Sequence, residues 1–266
     1  MVVRRFVRGR VSWQTLEVIC REFATRYDQP VLRVEFFDEN NWLSTPCVVN
    51  DRLFLKIVSR QNAIVHTVFT GARNLGAVSS GTEGFFERFE SPLEMARHEV
   101  DATRRMREIG LNAPEPIEAF QVSGMGVLVL EYLDGISRLD DVPENEIDPL
   151  VDSLFEALAT MHDHGLAHGD LRSENVLVRN GEIYFIDATA VNEGRMADAR
   201  GYDLASALAA VEPLVGARRA VEAAGDQYPV QVLLDAIDFL DFVNIRPDHD
   251  FDAAAVKGEM SKVARN

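Results

Sequence analysis

Residues 167–189, AHGDLRSENVLVRNGEIYFIDAT, constrain the chain more than any other stretch. At their centre two short runs rich in β-branched and aromatic residues flank Asn180-Gly181. That pair is favoured in two-residue type I′ turns, where both positions need positive φ, so a hairpin is predicted. Asp170 and Asn175 stand five apart on the loop entering it, and Asp187 follows its second strand. Two carboxylates and an amide therefore converge at one end of the hairpin. Oxygen donors of this kind suit Mg²⁺, which takes few protein ligands and completes its shell with phosphate oxygens. A carboxylate left off the metal can orient a hydroxyl and accept its proton.

The stretches on either side differ in pattern. Ser12 precedes Trp13, Leu16, Cys20, Phe23 and Tyr27, whose spacings of three and four predict one buried helical face, closed by Pro30. Strands are predicted at Val31 to Phe37, Thr45 to Val49 and Arg52 to Val58, the last two joined by Asn50-Asp51. Between residues 59 and 91, a helix interrupted by Gly71 leads to the loop SSGTEG. A further helix runs from Ser91 to Ile109, with Pro92 at its first position and Glu94 in its first turn. Strands return at 117–122 and 126–132, around Ser123-Gly124, and helices dominate from Glu146 onward. This order predicts an α+β chain: an arm and helix at 1–30, a strand-rich lobe at 31–133 and a helical lobe at 134–266.

One strand residue stands out because of the company it keeps. The chain has 266 residues and 27 Lys plus Arg, of which only Lys56, Lys257 and Lys262 are lysine. Lys56 sits inside the apolar run LFLKIV. A snorkelling surface residue would be arginine in so arginine-biased a chain. An ammonium approaches phosphate as a compact point charge, so Lys56 is predicted to be functional.

The formal charge of −16 repels nucleic acid, and acidity with so few lysines resembles proteins of halophilic archaea. The exception is the arm carrying Arg4, Arg5, Arg8 and Arg10, which reads as a solvated basic terminus or an RNA contact. No apolar run reaches the roughly 18 residues of a membrane span. The start MVVRRFVRGR has no secretory pattern. Cys20 and Cys47 read as reduced thiols, so a cytoplasmic protein is expected.

The order His168, Asp170, Leu171, Asn175, then a hairpin ending in Asp187, resembles the catalytic loop and metal-binding aspartate of the protein-kinase-like superfamily. The resemblance implies a two-lobed protein-kinase-like fold, with an antiparallel-sheet N-lobe, one key helix and a mainly helical C-lobe. It implies ATP with Mg²⁺ or Mn²⁺ as cofactors. Lys56 would contact the ATP phosphates, held by Glu99, with Glu94 and Glu108 on the same helix as alternatives. Glu131 to Leu133 would be the adenine-binding hinge, Asp170 the base, Arg172 a group steadying the phosphoryl, and Asn175 and Asp187 the metal ligands. His162, His164 and His168 in HDHGLAH read as structural and not as a zinc site.

Departures narrow the resemblance. The glycine-rich loop is missing, and DENNWLSTP would have to meet phosphate through its backbone or through Asn41, Ser44 and Thr45. Gly169 replaces the arginine of H-R-D, Ala188-Thr189 follow Asp187, and only 13 residues separate Thr189 from Asp203. These features resemble the RIO-type atypical kinases and the small kinase of the KEOPS complex. Fewer residues precede the first strand than the winged-helix domain of one RIO branch would need. The 42 residues between Lys56 and Glu99 are consistent with the RIO insertion. The resemblance implies phosphoryl transfer to a protein serine or to itself, or ATP hydrolysis, with the basic arm meeting ribosomal RNA or a pre-ribosome. Alternatives are a small-molecule kinase of aminoglycoside type, disfavoured by the 36 residues between Glu131 and His168, and a nucleotide-binding scaffold.

Overall fold

Three tight turns set the strand pairings. Asn50 and Asp51, Ser123 and Gly124, and Asn180 and Gly181 all have φ between 50 and 79°, the type I′ requirement. They join β2 (Thr45–Val49) to β3 (Leu53–Val58), β4 (Pro116–Val122) to β5 (Met125–Glu131), and β7 (Val176–Arg179) to β8 (Glu182–Phe185). The computed structural model describes residues 11–37, 44–59, 89–188, 193–245, 250–263 and 265. The basic arm, Asn41, the expected helix around Gly71 and Thr189 lie outside them. The chain divides into two compact units, with boundaries at Arg104, Ala113 and Asp134.

The first unit holds a five-stranded antiparallel sheet in the order β1-β2-β3-β5-β4, with β1 at Val34–Phe36. Helix α1 (Trp13–Arg26) starts at Ser12, whose hydroxyl accepts the Thr15 N–H. Its Leu16, Ile19 and Phe23 pack on Cys47, Leu55 and Val129 of one sheet face. Each such burial contributes about 2 kcal/mol. The opposite face, with Leu128 and Leu130, is covered by Ala96 and Val100 of α2 (Pro92–Glu108).

Two expectations need correcting here. Trp13 is 80% exposed and meets Phe36 edge-on, so the buried stripe runs through Ile19 instead. A tryptophan in the first turn overhangs the helix end, where apolar spacing alone does not ensure a partner. The first strand is shorter than its apolar run, and Val31 is 78% exposed. Asn50 Oδ1 takes the Arg33 N–H, and sheet pairing begins only at Val34.

In the second unit β6 (Ser137–Arg138), β7 and β8 form a small antiparallel sheet. Among the described residues its α-helices are α3 (Glu144–Asp163), α4 (Met196–Val215), α5 (Ala217–Gln227), α6 (Val230–Asn244) and α7 (Ala253–Val263). Helix α4 is buried on nearly every side from Ala199 to Val211, as a central helix must be. A Cβ on Gly201 would lie 2.8 Å from Phe239 Cε2, so the glycine allows α4 and α6 to approach closely. Among the described residues no helix is long and apolar enough to cross a membrane.

Candidate functional site

In the first unit, strand alternation decides where Lys56 points. Leu53, Leu55 and Ile57 face α1, so Phe54 and Lys56 face α2. Lys56 lies opposite Pro46 on β2 and Leu128 on β5. It is 5% exposed and Glu99 is 6% exposed. Lys56 Nζ donates to both oxygens of Glu99, at 2.9 and 3.1 Å. Glu99 lies between Ala96 and Thr103 on the buried stripe of α2, and the Thr103 hydroxyl donates to its carbonyl at 2.7 Å. Glu94 instead accepts the Glu90 N–H at the helix start, and Glu108 is exposed. Gly126 keeps α2 close to the sheet. A Cβ there would fall 2.1 Å from the Pro92 carbonyl oxygen.

Other predicted nucleotide contacts also lie in this unit. The Ser44 hydroxyl is buried and makes no hydrogen bond among the described residues. Thr45 is half-buried at the start of β2, opposite Ile57. At the end of β5 the Glu131 N–H donates to Glu115, whose own N–H reaches the Glu131 carboxylate, and the Tyr132 N–H donates to Arg52.

In the second unit the loop before β7 is held from three sides. The His168 and Gly169 N–H groups donate to Asp203 at 2.6 and 2.8 Å. The Asn175 amide donates to the Asp170 carbonyl at 2.7 Å. Ile186, just before Asp187, sends its N–H to the Asn175 carbonyl at 3.1 Å and receives His168 Nε2 at 2.9 Å. With Nε2 donating, His168 Nδ1 accepts the Asp170 N–H at 3.3 Å. Burial holds this imidazole below its ordinary pKa, which keeps it neutral in these roles. Gly169 has φ 76° and Asp187, without glycine's freedom, φ 62°. A non-glycine residue in the left-handed region marks a backbone held by its surroundings.

Asp170 is buried and pairs with Arg172 Nη2 at 3.2 Å; Arg172 also pairs with Glu174. Asn175 has given its nitrogen to Asp170, which leaves Oδ1 as the atom to meet a cation. An amide oxygen and the Asp187 carboxylate suit an ion that takes its remaining ligands from phosphate. The three histidines go to separate partners: His162 to Asp203 and Tyr228, His164 to the Thr160 carbonyl, His168 to Ile186.

Sequence reasoning missed Asp203. It is fully buried in α4, and its carboxylate is the anchor of the loop carrying Asp170. The available signal was an acid in the otherwise apolar run YDLASALAAV, since a buried charge must be compensated.

A solved structure from Haemophilus somnus, named "putative fructosamine-3-kinase", has a similar fold, at a TM-score of 0.51 and 11% identity over 94% of this chain and 97% of that one. The fold is protein-kinase-like. Residues 87–199 match the model of the RIO domain. The KEOPS complex subunit Bud32 of Pyrococcus abyssi is 30% identical over 114 residues, 42% of this chain and 51% of that protein. The lipopolysaccharide core heptose(II) kinase of Escherichia coli is 34% identical over 61 residues, 23% of this chain and 25% of that protein. The chain thus spans about half the length of the first curated relative and a quarter of the second.

Proposed function

We propose that the chain is an ATP-dependent phosphotransferase whose acceptor is a protein serine, its own chain included. The observation that carries this reading is the loop from His168 to Asn175, pinned so that Asp170 and Asn175 keep a fixed relation to Asp187. Lys56, steadied by Glu99, supplies a point charge for the α- and β-phosphates. Ser44 and Thr45 would meet phosphate in place of the missing glycine loop, and the backbone at Glu131 and Leu133 would hold the adenine. Asn175 and Asp187 hold Mg²⁺ or Mn²⁺, which when bound neutralises phosphate charge. Asp170 accepts the acceptor's proton as the hydroxyl oxygen bonds to the γ-phosphorus and the bond to ADP breaks. Arg172 holds Asp170 in place and offers positive charge to the transferring group.

The heptose kinase similarity favours a second acceptor class, a sugar hydroxyl. The short stretch between Glu131 and His168 supports a protein acceptor, because it leaves little chain for a sugar-binding insertion. A KEOPS-type protein partner follows from the archaeal relative's name, and ribosomal RNA from the charge of the arm.

Asp170→Asn tests the core of this reading. In molar KCl, which suits so acidic a chain, it should retain Mg·ATP binding and lose roughly 10²- to 10⁴-fold in turnover. Equal turnover by wild type and variant would sink the assignment. Mass spectrometry of phosphate passed from labelled ATP to the chain, to lysate proteins or to heptose separates the acceptors.

A further inference from the structure

Tyr228 belongs to none of the motifs above. Its N–H closes α5 on the Ala224 carbonyl at 2.9 Å, and Pro229 immediately opens α6. This short junction fixes the backbone from which the buried ring enters the core. Its hydroxyl lies 2.8 Å from Nδ1 of His162, whose Nε2 faces Asp203 Oδ2 at 3.3 Å. The His162 side chain is fully buried.

A neutral imidazole carries one N–H, and its two neighbours make different demands. Asp203 offers only acceptor oxygens, so the contact at Nε2 requires the proton there. Nδ1 must then accept, and the Tyr228 hydroxyl is the donor facing it. Burial, followed by the negative charge of Asp203, raises the phenol's pKa, so this donor keeps its proton. Of the neighbouring charges, Arg200 works against this rise and Asp163 adds to it. Arg200 donates to the His162 carbonyl at 3.0 Å and lies 3.8 Å from Asp163, and His164 meets the Thr160 carbonyl. His168 meets Ile186 and the Asp170 N–H.

We propose that Tyr228 is a positioning residue for the loop that carries Asp170. Its hydroxyl, donating to Nδ1, holds the His162 ring in the orientation in which Nε2–H meets Asp203, and that N–H holds the carboxylate where it binds the His168 and Gly169 amides. Every bond in this relay lies within the second unit.

Tyr228→Phe keeps the ring and removes the donor. In ¹H–¹⁵N spectra of the full chain's histidines, wild-type His162 should show an Nε2–H proton held in a hydrogen bond. In the variant that signal should shift or broaden as the contact with Asp203 loosens. The kinetic effect rests on the phosphotransferase reading: kcat should fall about 10- to 100-fold, the cost of a misplaced reacting group. KM for ATP should hardly change, because the loop carries the base. His162→Gln removes the imidazole through which Tyr228 acts, so adding Tyr228→Phe to it should cost nothing further. The proposal is overturned if Tyr228→Phe leaves the His162 Nε2–H signal unchanged, or lowers kcat by the same factor in both backgrounds. Should the wild-type chain turn over no ATP, the phosphotransferase reading fails while the spectra still decide this one.

Discussion

Lys56 in the first unit and Asp203 in the second are both buried charges, yet their counterparts differ in kind. Lys56 meets a full opposite charge on Glu99. Asp203 meets two backbone N–H groups and one imidazole. A charge matched by another charge on a flexible side chain can be shared with an incoming phosphate. One matched by backbone dipoles is tied to the path of the main chain. The first arrangement suits a ligand contact, whereas the second suits an anchor.

The largest effect should come from breaking the anchor. Asp203→Asn puts an amide NH₂ toward backbone N–H groups and removes the charge they were arranged around. We expect a loss of about 3–5 kcal/mol in unfolding free energy, as for other uncompensated buried groups, together with loss of turnover. Denaturant unfolding in molar KCl measures the first part. No second substitution should restore it, because the donors are main-chain atoms.

The ion pair should behave differently. Lys56→Met alone leaves Glu99 buried without its cation and should cost roughly 3 kcal/mol. Lys56→Met with Glu99→Leu should return stability to within about 1 kcal/mol of wild type while ATP binding stays lost. If the double variant is no more stable than the single one, the pair is as structural as the anchor and the contrast fails.

The contrast also explains what the sequence makes legible. Lys56 is conspicuous because its residue type departs from the chain's bias, and β3 reads plainly as a strand. The type I′ turns are local, so Asn180-Gly181 announces its hairpin. Asp203 takes its N–H partners from residues 34 and 35 positions earlier, and His162 from 41. Tyr228 reaches back 66 positions to His162. No short window contains such pairings. Trp13 shows the opposite failure, a correct helical period that assigns burial to a residue beyond the edge of the core.

The smallest effect concerns His168. Burial lowers its pKa, so above the ordinary value of 6.5 it is neutral whether folded or not. Below 6.5 the unfolded chain takes a proton that the folded one refuses. Its stability contribution is therefore present above 6.5 and is lost as pH falls toward the depressed folded value. The slope should be at most about 1.4 kcal/mol per pH unit. Unfolding free energies at pH 7.5 and 5.5 should differ less in His168→Phe than in wild type. A variant with the same pH dependence would assign that slope to other groups.

The strand order has a consequence in time. In the sheet, β3 lies between β2 and β5, and Leu53 pairs with Glu131. The β2–β3 hairpin can close as soon as it is made, but its Lys56-bearing edge must wait for β5. At translation rates of about 5–20 residues per second, that wait lasts roughly 4–16 s. Throughout it the edge of β3 offers unpaired N–H and C=O groups to any other extended chain nearby. A lysine side chain on that strand is the kind of residue that discourages such pairing.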